Sequence, residues 1–178
     1  TTLSGDTTMT PQGSSGVGDL FIDAQGNKFY FTAGSVSKVV LPDGATLDGL
    51  TWDVANKIDS ATRTEADGSK YVYQLKLLTR SYDIAGVVTN YTTTAAGITA
   101  VKAGETMEYL LDKTALSFTD LVGNKKFFAQ AGTYKGLVER EVLSSGVMYL
   151  YEYAGAATAP SVTRREVLAS QYAINTLD

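Results

Sequence analysis

GDLFIDAQGNKFYFTAGSVSKVVLPDGATLDGLTWDVANKI, residues 18–58, is the most strongly patterned stretch of the chain. Asp19-Leu20-Phe21-Ile22-Asp23 is an apolar run between polar residues, and Lys28-Phe29-Tyr30-Phe31-Thr32 is an aromatic one. Between them lies Ala24-Gln25-Gly26-Asn27. Gly26 can take positive φ without a Cβ clash, and Asn27 tolerates it better than most residues. Two β-prone runs joined by a short Gly-containing connection predict a β-hairpin. Val36 to Leu41 reads as a third strand, stopped by the turn signal Pro42-Asp43-Gly44. Leu50, Trp52 and Val54 alternate with polar residues, which places them on one face of a fourth strand. The core candidates are therefore Leu20, Ile22, Leu50, Trp52 and Val54.

The rest of the chain follows the same grammar. Residues 60–69 (SATRTEADGS) read as a loop turning at Asp67-Gly68. Lys70 to Arg80 reads as one continuous strand, with Tyr71, Tyr73, Leu75 and Leu77 on one face. Ile84 to Thr94 suits a strand with a kink or bulge at Gly86. Glu105 to Asp112 fits a strand or a single helical turn. Tyr134 to Leu143 and Val147 to Tyr153 form a second hairpin, closed by Ser144-Ser145-Gly146. Val147, Tyr149, Tyr151 and Tyr153 share one face of its second strand. Met148 and Leu150 make the other face apolar too, so that strand should be covered on both sides. No repeat with a period on the order of 20–50 residues is evident, which sets solenoids and propellers aside.

The two termini differ from the middle. Residues 1–17 are rich in Thr, Ser and Gly and offer little apolar surface, so a flexible arm is expected there. AGAATAP, residues 154–160, reads as a small-residue linker. Thr163-Arg164-Arg165-Glu166 fits a capping box, and Val167, Leu168, Tyr172 and Ile174 follow at near-helical spacing. This predicts a helix over 164–174. The expected organisation is an N-terminal arm (1–17), a β domain (18–154), and a linker with a short C-terminal helix (155–178). The expected fold is mainly β: an antiparallel sandwich or jelly-roll-like core built of hairpins.

Composition narrows function. The chain has no cysteine and no histidine, which removes thiolate metal sites, disulfides, and the commonest general base and transition-metal ligand. A formal net charge of −4 argues against sequence-independent binding to nucleic acid. No apolar run reaches the ~20 residues of a membrane span. The first residues show no basic region followed by an apolar core, so no signal peptide is expected. Ser14-Ser15-Gly16 and Ser144-Ser145-Gly146 sit in no nucleophile frame and suit turns better. Asp19 and Asp23 flank a strand and could pair for glycosidase chemistry or calcium, but residues 23–27 lack the ligand spacing of a calcium loop. No cofactor or metal is expected. Asn90-Tyr91-Thr92 matches a glycosylation sequon, which matters only in a secretory route.

Eleven tyrosines and one tryptophan are the remaining signal. Amphipathic rings suit subunit contacts and sugar stacking. Tyr71, Tyr73, Tyr149, Tyr151 and Tyr153, with Val167, Leu168 and Tyr172 near the C-terminus, are candidate interface residues.

Residues 18–58 also resemble a small β module repeated in structural proteins of tailed bacteriophages, notably the crAss-like phages of gut Bacteroidetes. Gly18-Asp19, Gly26, Pro42, Gly44, Gly49 and Asn56-Lys57 stand at comparable places in that module. The resemblance implies a virion attachment or surface element, not a catalyst. The expected function is a non-enzymatic head-fibre or capsid-decoration protein, made in the host cytoplasm and working in the virion. Its expected partners are further copies of itself and other virion proteins, with a host-surface glycan as a further partner, and neither nucleic acid nor membrane. The alternative is a carbohydrate-binding β-sandwich of a bacterial surface or secreted protein. An enzyme using only carboxylates ranks third.

Overall fold

The computed structural model describes residues 10–15, 18–55 and 57–168, with side chains from Leu20 onward. All its regular elements are β-strands. The first nine are β1 (Thr10–Ser15), β2 (Gly18–Ile22), β3 (Lys28–Thr32), β4 (Ser35–Val40), β5 (Thr46–Trp52), β6 (Ile58–Thr64), β7 (Lys70–Gln74), β8 (Leu77–Tyr82) and β9 (Val88–Thr94). Then come β10 (Gly97–Lys102), β11 (Glu105–Tyr109), β12 (Ala115–Thr119), β13 (Lys125–Phe128), β14 (Val138–Val142), β15 (Met148–Ala154) and β16 (Ser161–Val167). Contacts divide the chain into two compact units, one ending at Asn90 and the other beginning at Tyr91. Each unit is an antiparallel meander in which strands pair in chain order.

The turns explain this order. Asp23 N–H donates to the Asn27 carbonyl at 3.1 Å, and Gly26 N–H donates back to the Asp23 carbonyl at 3.0 Å. The Asp23 carboxylate accepts from the amides of Gln25 and Asn27 at 3.0 and 2.8 Å, and from the Asn27 side chain at 2.7 Å. Gly26 has φ +84°, which a side chain would disfavour. The same five-residue frame recurs at Asp83–Val87 and Asp120–Asn124, and its backbone bonds recur at Leu41–Ala45, Glu65–Ser69 and Leu143–Val147. Positive-φ glycines in these frames fall at 26, 44, 68, 86, 123 and 146, and Gly104, in the two-residue turn after β10, fits the same series. They are spaced 18 to 24 residues apart, one per pair of strands. A hairpin repeat is thus present, contrary to the expectation of none. It is written in turn residues while the strands between them diverge, so it leaves no apolar signature.

Several expectations are corrected. The segment 70–80 is two strands, not one. Leu75 and Lys76, at φ +47° and +64°, form a two-residue turn between β7 and β8. The mirror-image turn matches the twist of paired strands even without its favoured Asn or Gly. Residues 60–64, half of the expected loop, lie in strand β6. Arg164 to Val167, the start of the expected helix, lie in β16, which pairs with β15 along seven residues. That long ladder outweighs a local capping preference. Residues 169–174 of the expected helix, with Tyr172, lie outside the described residues. Residues 155–160 are the β15–β16 connection, and Thr10–Ser15 of the expected arm pair with β2 as β1.

The jelly roll is replaced by the meander. Its long crossovers are absent among the described residues, because each connection joins chain neighbours. Strands pack on the strands before and after them, and no second layer covers either sheet within its unit. The buried apolar side chains are few and mostly small: Val36, Val39, Ala45, Ala61, Ala100 and Met148. Of the core candidates, Leu20, Ile22, Leu50 and Trp52 are only half-buried. Val54 is fully exposed, because β5 ends at Trp52 and Val54 sits at the tip of the Asp53–Lys57 turn. Period-two alternation ran past the end of the strand.

Candidate functional site

Register assigns each strand residue of the first unit to a face, because directly paired residues share one. Phe21, Phe29, Val39, Leu47, Arg63 and Tyr71 form one continuous row across β2 to β7. Beside it lie Phe31 paired with Val36, Ala61 paired with Tyr73, and Tyr73 paired with Leu78. Phe21 and Phe31 touch edge to face, with centroids 5.1 Å apart. Val36, Val39 and Ala61 are buried on this face, while the rings remain half-buried. Arg63 crosses it and is held at the turn end by Glu65 at 2.7 Å and Asp43 at 3.4 Å. The structure thus places Tyr71 and Tyr73, both expected at an interface, together on an apolar and aromatic face.

The tyrosines of the second unit meet a different environment. Tyr149, Tyr151 and Tyr153 share a face of β15, as their spacing predicts. Each is occupied within the unit. The Arg164 guanidinium lies over the Tyr149 ring, 3.5 Å from its centroid. The Tyr151 hydroxyl donates to Glu141 at 2.7 Å. Burial first, and then that bond to a carboxylate, push its pKa up to about 12. The Tyr153 hydroxyl donates to the Val138 carbonyl at 2.7 Å, and its ring meets Tyr134 at 5.4 Å. Glu141 sits at the centre, with Lys126 and Arg164 each 3.9 Å away. These rings are cross-strand packing, which disfavours a sugar platform there. Val167 is half-buried and Leu168 exposed at the end of β16.

The opposite face of this unit carries a second polar row. Glu108 accepts from the Ser117 hydroxyl and from Lys125 at 2.9 Å, and these two bonds hold its carboxyl below the usual range. Lys125 and Arg140 both lie over the Phe127 ring, at 5.3 and 3.9 Å. Sequence spacing could not reveal these networks, because each joins residues brought together by register.

Several aspartates serve turns. Burial opposes the Asp23 charge, but donors from Asn27, Gln25 and Gly26 outweigh it and hold the pKa down. Asp53 receives Lys76 at 2.5 Å together with the amides of Ala55 and Lys57. The Lys76 bond, more than any other, lowers its pKa to about 2. Asp23 is therefore a turn former. Among the described residues, no group of three or more acidic side chains could hold a metal ion, and no helix is long and apolar enough to cross a membrane.

No protein-family profile matches the sequence, and no curated protein does. Among solved structures, the chain is similar to the TCP10 domain of Danio rerio CPAP in complex with a peptide of Danio rerio STIL. The identity is 14% and the TM-score 0.32, over 91% of this chain and 100% of that one. At that overlap nothing about function transfers.

Proposed function

We propose that this chain is a non-enzymatic structural protein of a bacteriophage virion, of the head-fibre or capsid-decoration kind, that assembles with itself and with other virion proteins. The observation that carries this reading is the uncovered face of the first unit. Phe21, Phe29, Phe31, Leu47, Tyr71 and Tyr73 lie on a sheet with no second layer of its own. A contiguous half-buried aromatic face of this kind marks a site of protein association. The second layer of the expected sandwich would then come from a partner. The resemblance of residues 18–58 to phage structural modules supplies the setting.

Light scattering of the purified chain tests the association. Assembly should occur at micromolar concentration and be lost in Phe29→Ser/Tyr71→Ser. A wild-type chain that stays monomeric, and that cannot be cross-linked to any neighbour in purified virions, would overturn the proposal.

A further inference from the structure

The other face of the first unit is mixed and carries most of its cations. Register places Ile22, Lys28, Val40, Thr46, Thr64, Lys70 and Tyr82 in one row. Leu20, Tyr30, Lys38, Asp48, Thr62, Val72 and Arg80 form the next. Four cations thus share a face with one acid, on a chain whose net charge is −4. Among the described residues Lys28, Lys38 and Lys70 meet no carboxylate. Arg80 contacts only neutral groups, Asn90 at 3.3 Å and the Tyr82 hydroxyl at 3.2 Å. Several strand cations elsewhere meet carboxylates: Arg63 meets Glu65, Lys125 meets Glu108, Lys126 and Arg164 meet Glu141, and Arg165 meets Glu152. This face of the first unit therefore carries four cations that meet no carboxylate among the described residues.

An open cleft of about 420 Å³ lies on the same face. Thr62, Lys70, Val72 and Tyr82 line it, with Asp83 and Ile84 among the turn residues beside them. Asp83 also lines the cleft and places one carboxylate at its turn end. One oxygen of its carboxylate accepts the amides of Ala85 and Val87 at 3.0 and 2.9 Å. At ~4.8 Å per strand, the Lys28/Lys38 pair stands roughly 19 Å from the Lys70/Arg80 pair. Threonine hydroxyls and one aspartate fill the interval.

We propose that this face binds a linear acidic glycan, its carboxylate or sulfate groups meeting the two cation pairs and its rings resting on Tyr82 and the threonine surface. The chemistry favours a glycan over nucleic acid. The cations come in two separated pairs instead of a continuous stripe, hydroxyls lie between them, and the net negative charge of the chain opposes a dense polyphosphate. The inference is independent of assembly, which uses the opposite face.

The test is titration calorimetry of the full chain with a polygalacturonate oligomer and a heparin oligosaccharide, which separate carboxylate from sulfate chemistry. A neutral glucan and single-stranded DNA serve as competitors in kind. Binding to one acidic glycan should weaken as salt rises. Lys70→Gln/Arg80→Gln should lose roughly tenfold in affinity, 1.4 kcal/mol, with an unchanged melting temperature. Lys57→Gln, at a turn tip, should bind like the parent. No binding to either acidic glycan at low salt would overturn the proposal, as would equal binding of the neutral glucan, or tighter binding of DNA.

Discussion

The two units share one turn grammar but stabilise their sheets differently. The first unit sorts part of its side chains by face: its paired phenylalanines lie on one, and most of its strand lysines and threonines on the other, beside valines and tyrosines. The second unit mixes them. Glu141 sits among Tyr149, Tyr151 and Arg164 on one face, and Phe127 lies under Lys125 and Arg140 on the other. A sheet without a second layer has two routes to stability. It can concentrate apolar area on one side, or thread cross-strand polar networks between rings on both. The first route leaves surfaces free for partners, and the second occupies them internally.

The strongest challenge to this comparison is Gly97→Ala. Gly97 has φ +151°, and a Cβ there would overlap the Tyr109 carbonyl oxygen on the neighbouring strand. A loss of about 3 kcal/mol is expected, confined to the second unit. Hydrogen exchange should show β10 to β16 losing protection while β2 to β8 keep theirs. Loss of protection in both units together would show one cooperative block and remove the basis of the contrast.

Val39→Ala and Glu141→Gln compare the two routes directly. Val39 is 3% exposed on the apolar face, so its truncation should cost about 2 kcal/mol, with little dependence on salt. Glu141→Gln weakens the bond to Tyr151 and the attraction of Lys126 and Arg164. It should cost about 1 kcal/mol, less at high salt. Denaturant midpoints at two ionic strengths distinguish the cases. Equal salt dependence would mean that the networks of the second unit contribute no more than the apolar face of the first.

pH should act on the second unit from both sides. The Tyr151 pKa rises from 10.0 to about 12 on folding, so its contribution is full below pH 10 and is lost as pH climbs from 10 to 12. The Glu108 pKa is lowered from 4.5, so its contribution holds above pH 4.5 and is lost as pH falls through its folded value. Phenolate absorbance and circular dichroism against pH should show Tyr151 titrating late, beside Tyr109 and Tyr153, whose pKa values burial also raises, with loosening of the second unit. Titration of every tyrosine near pH 10 would contradict the Tyr151–Glu141 bond.

The smallest effect expected is a gain. Leu75 holds φ +47° with its side chain exposed, a conformation that asparagine tolerates better. Leu75→Asn should stabilise the first unit by about 0.5 kcal/mol in thermal melts. A loss instead would show that Leu75 makes contacts that offset its backbone strain.

Much of the fold could be read from turn chemistry. Gly26-Asn27, Pro42-Asp43-Gly44 and Ser144-Ser145-Gly146 each mark a real reversal. Strands without a turn signal or an apolar pattern were harder. Leu75-Lys76 carries no glycine, proline or asparagine, so two strands read as one. Ile58–Thr64 is mostly polar, and a strand in an uncovered sheet needs no apolar period, so it read as a loop. Thr163 to Glu166 spells a helix cap, yet pairing with β15 decides its form. The aromatic face was partly legible through Tyr71 and Tyr73. The basic face was not, because Lys28, Lys38, Lys70 and Arg80 lie on four strands that only register brings side by side.

The recurring Asp-x-x-Gly turn also bears on how such a chain reaches its native state. In a meander whose reversals mostly close over two to five residues, each ladder forms soon after both its strands exist. Loop-closure entropy stays small, and the sequence separation of paired residues stays low for an all-β protein. The nascent chain can therefore order itself hairpin by hairpin as it leaves the ribosome. Duplication or loss of one hairpin would alter the length of the sheet while leaving its neighbours' pairing intact.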